Sequence, residues 1–489
     1  MHLSSIQRIM GLLLIAFSLT LLPPILLSIL HEDGALNTFL AALATMFGIG
    51  FGLWFPVRNQ KKDLHLHDGF IIVSGFWILL SLVSALPFYL DSKLELDIAQ
   101  AVFESVSGFT TTGATVIVGL DNLEPSILYY RQQLQWLGGL GVIVLAVAVL
   151  PMLGIGGMQL YRAETPGPMR DDKLTPRLEN TAKALLFIYL LLTLACALSF
   201  WLAGMNAFDA VCHSYSTIST GGFSTRDASL GFYNSPIIEA ICIFFMLLGS
   251  LNFAIHFNVG RRLDLHLYWQ DTQTRVFLLI VLGLVIFSAL ILWTHGRYDL
   301  LQSFRHAAFN VVSVISSTGY GLEGFADWPL LLPVLILCTG FIGGCVGSTT
   351  GGIRVIRVIL LYKQAIREIM RLIHPNAVIA VKIDNKKVSD QVAEAVWGFA
   401  FLYMISFILL SFVFMFVAFD GPLTGEDVLT AFSAIAATLN MTGPGLGAVS
   451  STFKEINDAG LWVASFAMLL GRLEIFTLLV ILTPAFWKR

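Results

Sequence analysis

Four loops of small residues interrupt the apolar segments of this chain, and all four follow one local grammar. They read Ser107-Gly108-Phe109-Thr110-Thr111-Thr112-Gly113-Ala114-Thr115, Ser216-Thr217-Ile218-Ser219-Thr220-Gly221-Gly222-Phe223-Ser224, Ser313-Val314-Ile315-Ser316-Ser317-Thr318-Gly319-Tyr320-Gly321 and Ala437-Thr438-Leu439-Asn440-Met441-Thr442-Gly443-Pro444-Gly445. Aligned without gaps, they put Gly113, Gly222, Gly319 and Gly443 at the seventh position. An amphipathic stretch too short to cross a bilayer precedes each loop, at about 97–107, 208–216, 301–313 and 427–436, and a long apolar stretch follows. Helices that enter a membrane and stop leave unpaired carbonyls at their inner ends, which is tolerated only where they are buried in protein or line a wet cavity. Four such ends meeting at one cavity would make it favourable to cations.

Composition places these loops in a membrane. Hydrophobic residues make up 56% of the 489, charged residues 12%, and the mean hydropathy is +0.79. A soluble chain of this size carries about 25% charged residues. Ten apolar stretches are long enough to span, approximately 9–30, 35–55, 69–90, 130–153, 182–203, 235–257, 275–294, 329–360, 393–418 and 459–486. The first lacks the cleavage pattern of a signal peptide and reads as a retained helix. The paired glycines Gly343-Gly344 and Gly351-Gly352 argue against 329–360 being one continuous helix. With the amino terminus inside and ten alternating spans, 22 of the 29 Lys and Arg residues fall on the inner side, as the positive-inside rule requires. Both termini are then expected in the cytoplasm, with acidic residues in excess outside. The five cysteines show no metal-ligand spacing and read as buried free thiols.

The expected architecture is an all-α membrane protein. It has two leading helices (1–67) and four pore repeats (68–180, 181–273, 274–391 and 392–489) of helix, half-helix, loop and helix around one central pore. The seventh-position glycines are 109, 97 and 124 residues apart, so the repeat survives as internal order rather than as even spacing.

A cation that sheds water needs replacement oxygens, and backbone carbonyls supply them without fixed charge. Glycine tolerates the backbone angles that turn carbonyls inward. The candidate ligands are the carbonyls of Thr111, Thr112, Gly113, Thr220, Gly221, Gly222, Ser317, Thr318, Gly319, Met441, Thr442 and Gly443. The third loop's Ser-Thr-Gly-Tyr-Gly is close to the Thr-Val-Gly-Tyr-Gly filter of potassium channels. Over its whole length the chain resembles the Trk/Ktr/HKT superfamily of potassium transporters, in its bacterial TrkH/TrkG branch. The two extra leading helices, the runs Met158-Gln159-Leu160-Tyr161-Arg162-Ala163-Glu164 and His374-Pro375-Asn376-Ala377, and Gly471-Arg472-Leu473-Glu474 fit that branch. In the superfamily the seventh-position glycine lies in the filter, and a serine in the first repeat accompanies sodium transport in some plant members. Glycine in all four repeats here favours potassium. The residues after those glycines (Ala114, Phe223, Tyr320, Pro444) differ, so the ring is not expected to be fourfold symmetric.

The resemblance further implies potassium uptake across a bacterial cytoplasmic membrane, with K+ as cargo and no cofactor bound by this chain. It implies a homodimer and a cytosolic nucleotide-binding partner of the TrkA type. Segments 161–183 and 363–391 offer basic surface to that partner, and no nucleic-acid partner is expected. The glycine-rich run containing Gly343, Gly344, Gly347, Ser348, Thr349, Gly351 and Gly352 reads either as close helix packing through small residues or as an intramembrane gate beneath the filter. The resemblance favours the gate and sets Arg472 in the pore beside it. A mid-span arginine otherwise reads as half of an ion pair, here with Glu474. Glu104, His213 and Asn310 read as hydrogen-bonding partners of a neighbouring loop, and Asn252 and His256 as polar glue between helices. Symport coupled to protons or sodium remains an alternative, with Glu474 as the main intramembrane acid. An intramembrane enzyme is more distant, since no nucleophile–base pair or His-Glu-x-x-His pattern is present.

Overall fold

The computed structural model describes residues 3–60, 66–144, 178–329, 331–377, 379–384, 386–419 and 421–487. Among them the fold is helical except for one short antiparallel pairing of Lys382–Ile383 with Lys386–Lys387. Among the described residues, six helices are long and apolar enough to cross a membrane: Leu3–His31, Leu36–Val57, Asp68–Leu90, Ala182–Leu202, Thr272–Thr294 and Asp390–Ala418. The Pro23-Pro24 pair inside the first is accommodated because a 3-10 turn, Leu19–Leu21, lets the prolines open a fresh helix at Leu22, where their missing N–H groups cost little.

Three of the ten apolar stretches are broken rather than continuous. In 235–257, helix Pro236–Ser250 turns by 102° into Phe253–Arg262. Asn252 makes the break: its side chain accepts a bond from Ala254 N and starts the second helix. In 459–486, helix Asp458–Arg472 turns by 114° into Phe476–Leu482, through left-handed Glu474 (φ 52) and Ile475 (φ 51). The stretch 329–360 is interrupted as its glycines suggested: helix Leu332–Ile342 ends at Gly343, and the next helix, Val355–Ile373, begins after an irregular run. Helix Pro125–Val144 covers the described part of 130–153.

The four half-helices are Ile98–Phe109, Ala207–Ile218, Leu300–Ile315 and Gly425–Leu439. Each begins with a side-chain cap: Asp97, Asn206, Asp299 and Thr424 accept from the backbone N–H three residues on. Their other ends run directly into the four small-residue loops. Two buried apolar clusters hold these elements. One joins the leading helices to the first and fourth repeats, and the other joins the second and third. The loops contribute to both, Phe109, Ala114 and Leu439 to the first and Ile218, Ile315 and Tyr320 to the second.

Candidate cation-filter site

All four half-helices end in the same way. The N–H at the sixth loop position donates to the carbonyl at the first (Thr112 to Ser107, Gly221 to Ser216, Thr318 to Ser313, Thr442 to Ala437, 2.8–2.9 Å). The fifth N–H donates to the second carbonyl (Thr111 to Gly108, Thr220 to Thr217, Ser317 to Val314, Met441 to Thr438, 2.9–3.3 Å). This pair of bonds is the Schellman ending, which requires a left-handed residue at the fifth position. Thr111 (φ 60), Thr220 (φ 53), Ser317 (φ 53) and Met441 (φ 57) supply it although none is glycine. Non-glycine residues held there store about 1–3 kcal/mol each.

The seventh-position glycines are also left-handed, at φ 84, 80, 82 and 81, while the sixth residue between them is not. In an extended chain of uniform φ sign successive carbonyls point to opposite sides. Inverting every second residue turns them to one side, which is what a row of ion ligands needs.

The loops close into a ring in chain order. A Cβ on Gly113 would lie 2.2 Å from the carbonyl oxygen of Gly221, on Gly222 1.8 Å from that of Thr318, on Gly319 2.2 Å from that of Thr442, and on Gly443 2.9 Å from that of Thr112. Each seventh-position glycine therefore backs onto the sixth-position carbonyl of the next repeat, and the fourth returns to the first. The eight candidate residues at the sixth and seventh positions make these contacts, the four at the fifth position directly precede them in the chain, and no carboxylate takes part.

Neighbouring loops are joined unequally. Between the second and third, Gly231 N donates to Gly321 O (3.2 Å) and Tyr320 Oη to His213 O (3.2 Å). Between the fourth and first, Phe453 N donates to Thr115 O (2.8 Å). Between the first and second, Gln135 donates from Nε2 to Gly221 O (2.6 Å) and accepts from Phe223 N (3.0 Å). Glu104 does meet a neighbouring loop, but as half of a buried ion pair with Arg131 (2.8 Å) that one-residue-at-a-time reading did not find. His213 bonds Ser224 (3.0 Å) and Asn310 bonds His306 O (3.1 Å). His256 lies between Tyr268 and Leu248 O as polar glue.

Directly against the ring lies the glycine-rich run. Thr349 is fully buried; its hydroxyl meets that of Thr220 (3.0 Å) and donates to Ile218 O (3.1 Å). Gly351 N donates to Ser317 Oγ (2.8 Å), and a Cβ on Gly351 would lie 2.3 Å from Asn440 O and 2.7 Å from Met441 Cε. The run thus touches the fifth-position residues of the second, third and fourth repeats. Its left-handed Gly343, Gly347 and Gly352 shape the turn, with Gly344 packed on Ser250 O and Ser348 bonded to Cys345 O.

Arg472 fills the remaining corner. Its Nη1 donates to Thr349 O (3.0 Å) and its Nη2 to Gly138 O (3.4 Å), on the helix that follows the first loop. Trp77 lies 5.3 Å from the guanidinium. Among the described residues no carboxylate reaches it within ion-pair distance. Glu474 instead pairs with Arg354 (2.9 Å) and Arg357 (2.8 Å), at the far end of the glycine-rich run. Thr350, Gly351, Gly352, Arg354, Tyr403, Met441, Arg472 and Glu474 share the lining of one cavity there. The ion-pair alternative for Arg472 is corrected accordingly: the bend at Glu474 turns that carboxylate toward the third repeat.

Known proteins resemble this chain over its length. A family model for TrkH, described as a cation transport protein, matches residues 35–489. The Trk system potassium uptake protein TrkH of Halomonas elongata is 50% identical over the whole of both chains, and that of Escherichia coli K12 is 48% identical over the whole of both. Trk system potassium uptake protein TrkG of E. coli K12 is 43% identical, covering 100% of this chain and 99% of its own. The crystal structure of the potassium transporter TrkH from Vibrio parahaemolyticus superposes with a TM-score of 0.91 at 46% identity, covering both chains completely.

Proposed function

The chain belongs to the TrkH family of cation transport proteins, and from that premise we propose that it takes up potassium through the ring of four loops. It is a multi-pass membrane protein and a transporter rather than an enzyme. The single observation that carries the pathway is the ring closure, in which each seventh-position glycine meets the next repeat's sixth-position carbonyl in cyclic order. Twelve neutral carbonyls at the ends of four half-helices suit a cation that must be dehydrated and then released. The fixed carboxylates lie outside the ring, so ion binding there stays weak enough for passage.

In this reading the glycine-rich run is a gate and Arg472 its latch. The termini and the basic segment 363–391 face the cytoplasm, where the basic excess of the inner loops would put them. A TrkA-type nucleotide-binding subunit would dock on that side, and the protein would work as a homodimer. The other basic segment, 161–183, lies for the most part outside the described residues.

Purified protein in sealed vesicles, with no substrate added, tests the reading. A potassium gradient should drive flux well above that of protein-free vesicles, and an equal sodium gradient should drive less. Absence of ion flux under both gradients would refute it. Removing Gly347–Thr349 should raise resting flux about tenfold with the potassium preference unchanged. The deletion removes the Thr349 contacts that hold the closed run, each net about 0.5–1.5 kcal/mol, and about 1.4 kcal/mol corresponds to tenfold. Lower flux from a normally inserted deletion protein would instead mark the run as helix packing.

A further inference from the structure

Among the described residues, the ion pair behind the filter with both members fully buried belongs to the first repeat; the Asp209–Arg226 pair of the second repeat has its arginine partly exposed. Nine residues before each seventh-position glycine stand Glu104, His213, Asn310 and Ala434. Only Glu104 is acidic, and both it and Arg131 are fully buried. Burying two charges is costly unless every donor and acceptor is satisfied. Here Glu104 Oε1 accepts from Arg131 Nε (2.9 Å), with Nη2 at 2.8 Å from the same oxygen, and the carboxylate also accepts from Thr115 Oγ1 (2.9 and 3.0 Å) and from Val116 N (3.0 Å).

The arginine is used on every side. Beyond Glu104 it donates to Thr115 Oγ1 (3.1 Å) and to Ser224 O (3.2 Å), and its plane lies 4.2 Å from the centre of the Phe223 ring. Thr115 and Val116 leave the first loop, while Phe223 and Ser224 leave the second. The pair therefore ties the outgoing limbs of two adjacent filter loops. Gln135, one helical turn beyond Arg131 on the same face, reaches the second loop two and four residues past Ser219, at Gly221 O and Phe223 N. Thr115 O in turn receives Phe453 N and Thr452 Oγ1 from the fourth repeat. Loosening Thr115 thus reaches two of the four corners.

We propose that Arg131 and Glu104 are positioning residues for ion discrimination, holding the carbonyls of the first and second loops at the separation that favours potassium over the smaller sodium ion. They touch no ion. Their effect passes through Thr115, Phe223 and Ser224 to the ring, and the proposal rests on the ring being the potassium pathway. Arg305 and Glu239 also form an ion pair, between the third repeat and the second, but the bonds of that pair go to each other and to Asn234 rather than to a filter loop; the planar Arg131 guanidinium bonds the outgoing limbs of two loops directly.

The test uses the full-length protein in vesicles and reads potassium and sodium flux at matched protein density. Arg131→Lys keeps the charge and loses the fork. The double variant Glu104→Gln/Arg131→Met removes both charges, so neither is left buried alone. Each should lower the potassium-to-sodium flux ratio about tenfold, by raising sodium flux while maximal potassium flux stays within about twofold. An unchanged ratio in both variants overturns the proposal, as does failure of both to insert and assemble, since the pair is then a folding element. A fall in the flux of both ions with no change in ratio also overturns it. Gly222→Ser, measured alongside, separates the two ideas: if it alters the ratio and the pair variants do not, only this inference fails, whereas no potassium flux from the parent protein defeats the underlying pathway.

Discussion

Gly222→Ser should cut the preference for potassium over sodium about tenfold or more while the protein still inserts. A Cβ at this position would lie 1.8 Å from the Thr318 carbonyl oxygen and 2.9 Å from its carbon, closer than real Cβ atoms come to backbone. The neighbour cannot rotate away as a side chain would, because Thr318 is fixed by its own bond to Ser313 O (2.9 Å). The backbone of Gly222 is also left-handed (φ 80), where a side chain adds strain. The ring must open between the second and third repeats, displacing a carbonyl that is itself one of the proposed ligands, and about 1.4 kcal/mol of differential ion stabilisation is already tenfold. Gly443→Ser, with its oxygen neighbour at 2.9 Å, should do less. Competitive uptake by cells lacking other potassium systems checks both. Unchanged selectivity in well-expressed Gly222→Ser would remove this glycine from the filter.

Arg472→Ala should raise cation flux about tenfold or more at unchanged protein density. Two effects act in the same direction. The guanidinium bonds Thr349 O and so holds the glycine-rich run against the ring. It also lies within 3.8 Å of Met441 Sδ, at the fifth loop position, where a cation on the proposed pathway would meet its charge. Two like charges 4 Å apart repel by about 4 kcal/mol at the effective dielectric of a protein site. Arg472→Lys keeps the charge but loses the fork that spans Thr349 O and Gly138 O, so it should fall between the two. Because Glu474 pairs with Arg354 and Arg357, alanine here strands no carboxylate. If alanine instead gives unassembled protein, the residue is structural and its place as a barrier is lost.

The fourfold register of the loops was legible because glycine at the seventh position is a steric necessity: any Cβ there meets a carbonyl of the next repeat. The half-helices were legible to within three residues at either end, since their lengths and their caps are local features. The left-handed fifth position was not, because Thr111, Thr220, Ser317 and Met441 are residues that ordinarily avoid it, and the ring imposes it. The breaks at Leu251-Asn252 and at Glu474-Ile475 were hidden inside apolar runs that satisfy every criterion of a continuous span. Tertiary contacts hold both: beside the local Asn252 cap, Phe253 N bonds Gly347 O (3.0 Å), and Glu474 is held by two arginines of the third repeat. The Glu104–Arg131 brace was missed for a related reason. Its members are 27 residues apart in sequence, and the loop they tie to the first belongs to another repeat.

We propose that ions occupy the ring made by the fifth-, sixth- and seventh-position carbonyls of all four loops. Crystals of the protein grown in rubidium, a heavier stand-in for potassium, can be measured at its absorption edge. Anomalous peaks should lie on the ring axis, between the carbonyls of Thr112, Gly221, Thr318 and Thr442 and those of the four glycines, and should weaken when sodium replaces rubidium. Peaks only beyond the ring, with none among those carbonyls, would contradict the account.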